Sequence, residues 1–160
     1  MQPKEIIEEL GKSPEFKSWR EEHKNFHLAH FFKDCSKEEI EVGYTNNDIL
    51  AIFTLSSRGI RFSEEDEILK EDNLKINMLD IAKVKLDFEQ AIEIARKINK
   101  EKYNNIQSIK EIVILQNIEA GQVYNITFIT NSFETINIKI DAETGKVLKE
   151  EKVSFLTKLN

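Results

Sequence analysis

The sequence predicts an α+β fold in which antiparallel strands carry helices on one face, and two observations lead there. Apolar residues recur at helical spacing over Phe88, Ala91, Ile92, Ala95 and Ile98, behind an Asp87 and Gln90 pair with capping-box spacing. From Ile109 onward the period changes to two. Tyr124, Ile126 and Phe128, then Ile136, Ile138 and Ile140, alternate with polar residues, the pattern of strands with one buried and one wet face. A one-faced helix followed by half-apolar strands is a two-layer plan. The chain has 160 residues, 40% of them hydrophobic, which is enough for one substantial core, and its 5 Gly and 2 Pro leave little room for flexible linkers.

Taken in order, Ile6, Ile7 and Leu10 follow Pro3 at helical spacing and Gly11 comes where that helix would end. Ser13 and Pro14 are an N-cap and a first-turn proline for a second helix, with Phe16, Trp19 and His23 on one face. The helix is expected to end near His23 or Lys24, and the spacing favours a core role for Trp19 and Phe16 over an exposed anchor. From Phe26 to Phe32 alternation replaces the helical period, so this segment reads as a strand. Ile40, Val42 and Tyr44 alternate likewise, Asn46, Asn47 and Asp48 have turn chemistry, and Ile49 to Leu55 is nearly all apolar, which predicts a hairpin whose second strand is buried on both faces. Ser63 to Asp66 has capping-box spacing for a short acidic helix near Ile68 and Leu69. The least regular stretch, 72–85, separates an N-terminal half, 1–80, from a C-terminal half, 81–160. Each half is read as helix followed by a three- to four-stranded meander, the two packed as one compact unit, with no residue-level repeat between them. In the second half strands are expected over 109–116, 123–130, 135–140 and 147 to about 155. Gly145 is free to take positive φ in the last turn.

Three segments of the second half resemble a known family: Ala91 to Ala95, Val123 to Ile126, and the run from Ile138 through Asp141, Ala142, Glu143, Thr144, Gly145 and Lys146 to Leu148. Over about residues 86–152 the chain is similar to a PepSY domain, a module related to one in the propeptides of thermolysin-type metalloproteases. The resemblance implies a non-catalytic domain that inhibits or regulates through protein contacts. The most specific of the three segments also has a structural explanation, because Asp141 and Thr144 can hydrogen-bond the turn backbone and Gly145 relieves its sterics. The first 80 residues lie outside the resemblance.

Reactive side chains concentrate in one place. His23, His27 and His30 are the three histidines and Cys35 the single cysteine. On a continuous helix the three imidazoles would share a face at i, i+4 and i+7 and could hold zinc or nickel. If 26–32 is a strand, strict alternation sends His27 and His30 to opposite faces, and the neighbouring Phe26, Phe31 and Phe32 favour core packing. A lone cysteine reads as a small buried hydrophobe before it reads as a nucleophile. The acidic runs Glu64 to Glu67 and Glu150 with Glu151 lack the ligand spacing of a calcium loop and read as solvated faces. No phosphate-cradling glycine loop, nucleophile elbow or dinucleotide fingerprint occurs.

A formal charge of −6, spread along the chain, offers no basic stripe for a phosphate backbone, so nucleic acid is not expected as a partner. No run approaches the roughly 18 apolar residues of a membrane span, and the N-terminus lacks the basic flank and apolar core of a secretory signal, so a cytoplasmic location is expected. The Lys-, Glu-, Ile- and Asn-rich composition suits a prokaryotic source. The reading is therefore a non-catalytic PepSY-like binding or regulatory module with a protein or peptide partner and no cofactor. The alternative is a small-ligand or metal-binding domain using the segment from His23 to Cys35. Half-exposed sheets in small domains commonly pair, which leaves room for a homodimer.

Overall fold

The structure is a computed structural model that describes residues 1–65 and 75–154. Two helices open the chain, α1 (Pro3–Leu10) and α2 (Pro14–Glu22), followed by strands β1 (His27–Asp34), β2 (Ile40–Thr45), β3 (Leu50–Ser56) and β4 (Gly59–Glu65). A connector containing one 3-10 turn (Ile81–Lys83) leads to α3 (Phe88–Lys102), and β5 (Ser108–Ile118), β6 (Gly121–Thr130), β7 (Glu134–Asp141) and β8 (Val147–Ser154) complete the fold. Both halves thus run helix first and then four strands.

The helix ends are those the side chains encode. Ser13 Oγ accepts the Phe16 N–H at 3.2 Å, and the Asp87 and Gln90 side chains each accept the other's backbone N–H, at 2.8 and 2.9 Å. Each bond satisfies a first-turn donor that has no partner within the helix.

All eight strands form one antiparallel sheet in the order β4-β3-β2-β1-β5-β6-β7-β8. The two meanders meet where β1 pairs with β5, from His30 opposite Gln116 to Asp34 opposite Ile112, so each half unrolls outward from the centre. One register row crosses six strands on the helix-covered face: Phe53, Val42, Phe31, Leu115, Tyr124 and Ile140. All six are almost fully buried, and they form the spine of the core. Phe16 of α2 packs edge-on against Phe53, and Phe88 of α3 meets both Phe31 and Tyr124, so helices from both halves cover the same face.

Two expectations are corrected. β3 is not fully buried on both faces: Ala51 and Phe53 on the helix side are buried, whereas on the other side Thr54 is buried but Leu50 and Ile52 are only half-buried. Apolarity alone cannot separate a central strand from one with a single cover. Ser63 and Glu64 do not cap a helix; they sit in β4, paired with Ile52 and Ala51, because a neighbouring strand edge outcompetes a local capping signal. The helix expected near Ile68 and Leu69, and the end of the last strand at Phe155, lie outside the described residues.

The connector closes one end of the sheet. Leu79 is buried and its N–H donates to the Leu28 carbonyl at 2.9 Å, while the Asp80 N–H donates to Gln122 Oε1 at 2.8 Å. The Asn117 side chain donates to the Met78 carbonyl at 2.7 Å.

Candidate functional site

The histidine segment does not gather into one cluster. His23 is the C-cap of α2, its ring stacked on Trp19 with centroids 4.7 Å apart, and its Nδ1 lies 2.7 Å from the Trp19 carbonyl. Nε2 of His27 lies 2.9 Å from the Ile76 carbonyl. A carbonyl only accepts, so in both rings the facing nitrogen carries a proton. Cys35 follows the far end of β1, where its N–H donates to the Glu111 carbonyl. Burial, reinforced by the Glu111 charge, pushes the thiol up from its ordinary value, which disfavours the thiolate a nucleophile needs. Among the described residues no three His, Cys, Asp or Glu side chains stand close enough together to hold a metal ion.

Strict alternation would separate His27 from His30, but β1 contains an irregularity between Leu28 and His30. The register pairs His27 with Thr45 and His30 with Gly43, residues two apart and therefore on the same side of β2. That side is the one turned away from the helices. His30 lies over Gly43, and burial holds its imidazole below the ordinary 6.5.

Around His30, this second face of the sheet has no helix on it among the described residues. The register runs Ile52, Gly43, His30 and Gln116 in one row and Thr54, Glu41, Phe32 and Ile114 in the next. Ile112 and Thr127 follow in a third. Phe32, Ile52, Ile112 and Ile114 are all half-buried. To one side of these apolar positions, Asn137 donates to Asn125 Oδ1 at 2.6 Å and to Thr127 Oγ1 at 2.9 Å, a cross-strand polar ladder. Toward the end of β1, Asp34 accepts the N–H and hydroxyl of Ser36, at 3.0 and 2.7 Å, and pairs with Lys110 at 3.2 Å. The Ser36 bonds, then Lys110, hold its carboxyl down at about 2. The result is a broad, gently mixed surface with an apolar centre and fixed polar borders.

Asp141 to Lys146, the turn that carries the family resemblance, is a packing device. Asp141 Oδ1 accepts the N–H of Glu143 and of Thr144, and Gly145 takes φ +77. The Ala142 carbonyl receives the N–H groups of Lys85 and Leu86, and the Tyr124 hydroxyl donates to the Leu86 carbonyl at 2.8 Å. The turn thereby fixes where the connector hands over to α3. Residues 85–151 match the PepSY family. The family is described as the peptidase propeptide and YPEB domain, and the match begins in the connector and ends in β8. The matched segment comprises α3, β5 to β7 and most of β8, and its sheet continues into a second four-stranded meander.

Among solved structures, the chain resembles a candidate lipoprotein from Clostridium difficile 630, with a TM-score of 0.58 over 87% of this chain and 90% of that one. At 19% identity the likeness shows a shared fold that includes the N-terminal half. No curated protein matches the sequence. Among the described residues, no helix is long and apolar enough to cross a membrane.

The uncovered face was not singled out in the sequence. Its signal was present in the half-apolar strands, Ile112 and Ile114 on one side of β5 against Val113 and Leu115 on the other, but such a run does not say which side receives the helices.

Proposed function

We propose that this chain is a non-catalytic binding or regulatory module whose helices brace an eight-stranded sheet so that the opposite face meets a protein or peptide partner. One observation carries the reading: among the described residues α1, α2 and α3 lie on one side, which leaves the half-buried Phe32, Ile52, Ile112 and Ile114 grouped on the other between ordered polar residues. Rigid apolar positions with a hydrogen-bonded border are what a protein interface needs at its centre and rim. The PepSY match over residues 85–151 supports a module that acts by contact.

The test compares the full chain with the double variant Ile112→Lys and Ile114→Lys, both immobilised and exposed to extract of the source cells. A partner that binds the first and not the second, and whose purified complex slows amide exchange in β1, β5 and β6, supports the reading. A partner held equally by both, or turnover of a substrate with no partner, overturns it. The location of the module is part of the same proposal. We place it in the cytoplasm, while the fold neighbour carries the name of a lipoprotein, so cell fractionation with an antibody to the chain decides between cytosol and membrane.

A further inference from the structure

The sheet has two edges, and they differ. β8 is blunted: its register with β7 shifts between Lys139 and Ile140, and Lys149 and Lys152 stand exposed along it. A bulge and edge lysines are the usual defences against pairing with another strand. β4 has neither. It pairs with β3 through seven successive residues without a shift, contains no lysine, and carries Phe62 at its centre with 48% of its surface exposed. The ring rests on Phe53, with centroids 5.0 Å apart, and reaches Trp19 at 6.1 Å. Nε1 of Trp19 is buried with no acceptor among the described residues.

Charge along β4 is polarised. Arg58 precedes the strand and Arg61 lies in its first half, while Glu64 lies in the second. The geometry points to a homodimer formed by antiparallel pairing of β4 with β4 of a second copy, joining the two sheets into one. A two-fold axis perpendicular to the sheet keeps every residue on its own face. Centred on Phe62, this register sets the two Phe62 rings side by side on the helix-covered face, Ile60 opposite Glu64, and Arg61 opposite Ser63. Arg61 keeps its pair with Glu39 of its own chain at 2.8 Å, and the antiparallel register sets no like charges directly opposite, whereas in-register parallel pairing would align Arg61 with Arg61 and Glu64 with Glu64. This interface leaves the uncovered sheet face free, so it stands independently of what that face binds.

Sedimentation of the full chain over a wide range of concentration tests it. The expected species is a dimer of twice 18.7 kDa. Phe62→Lys and Phe62→Glu should each be monomeric, with the circular dichroism and melting temperature of the parent, because each sets like charges side by side at the two-fold axis. An equal mixture of Phe62→Lys and Phe62→Glu should recover the dimer, because opposite charges then meet where the two rings stood. A parent chain that stays monomeric throughout overturns the proposal, including one that instead takes up a foreign peptide along β4. A dimer that survives both substitutions places the interface elsewhere and overturns it equally.

Discussion

The imidazole of His30 occupies the space that a side chain on Gly43 would need. A Cβ built on Gly43 would lie 2.7 and 2.8 Å from Nδ1 and Nε2 of that ring, and closer still to Cε1. The two residues face each other across β1 and β2, so a side chain at 43 would have to displace the ring; Gly43 is not among the glycines with positive φ. Gly43→Ala should therefore cost about 1–3 kcal/mol by overpacking. His30→Ala in the same chain should restore part of that loss, and chemical unfolding of the two single variants and the double variant measures the coupling.

Burial also gives His30 a pH signature. Its folded pKa lies below the ordinary 6.5, so the unfolded chain takes up a proton that the folded one refuses. The stabilisation is complete above about 6.5 and is lost as pH falls through that value toward the depressed folded pKa. The melting temperature should decline on mild acidification, and His30→Gln should flatten that part of the profile. An unchanged slope in the variant would assign the acid sensitivity to other groups.

The hydroxyl of Tyr124 ties the sheet to the start of α3 through the Leu86 carbonyl. Tyr124→Phe keeps the ring in the core and removes that bond, so it should cost about 1 kcal/mol. Amide exchange in the connector should quicken more than exchange in β6, and hydrogen-exchange mass spectrometry reads the difference.

Phe133 adopts φ +59 in the turn between β6 and β7 with 66% of its surface exposed. A bulky side chain in the left-handed region is strained and here gains little burial in return. Phe133→Gly should raise stability by up to about 1 kcal/mol. A clear drop in melting temperature would mean that the ring makes a contact the chain depends on.

The proposal of a cofactor-free module has its own measurement. Metal content of the untagged protein should be well below stoichiometric, and a chelator should leave the melting temperature unchanged. Stoichiometric zinc or nickel, lost on replacing His27 and His30 by alanine, would favour the metal-binding alternative.

Helix ends and most strands were legible because their causes are local. Ser13, Asp87 and Gln90 bond backbone groups within three residues, and Tyr124, Ile126 and Phe128 alternate whatever they pack against. The histidine segment was legible as a strand, but the irregularity between Leu28 and His30 was not, because an extra residue is defined only by the strand opposite it. β4 was missed for a related reason: Ser63 and Glu64 have the composition of a cap, and only pairing with Ile52 and Ala51 makes them a strand.

By itself the sequence determined the α+β class, the order of most elements and the absence of a basic stripe. These rest on composition and on spacings along one segment of chain. Tertiary structure alone decided that β1 and β5 join the halves into one sheet, that all three helices choose the same face, and that His30 and Gly43 share a space. Each of these depends on residues distant in sequence meeting in a particular register, and a period of two repeats identically in every register until a partner strand selects one.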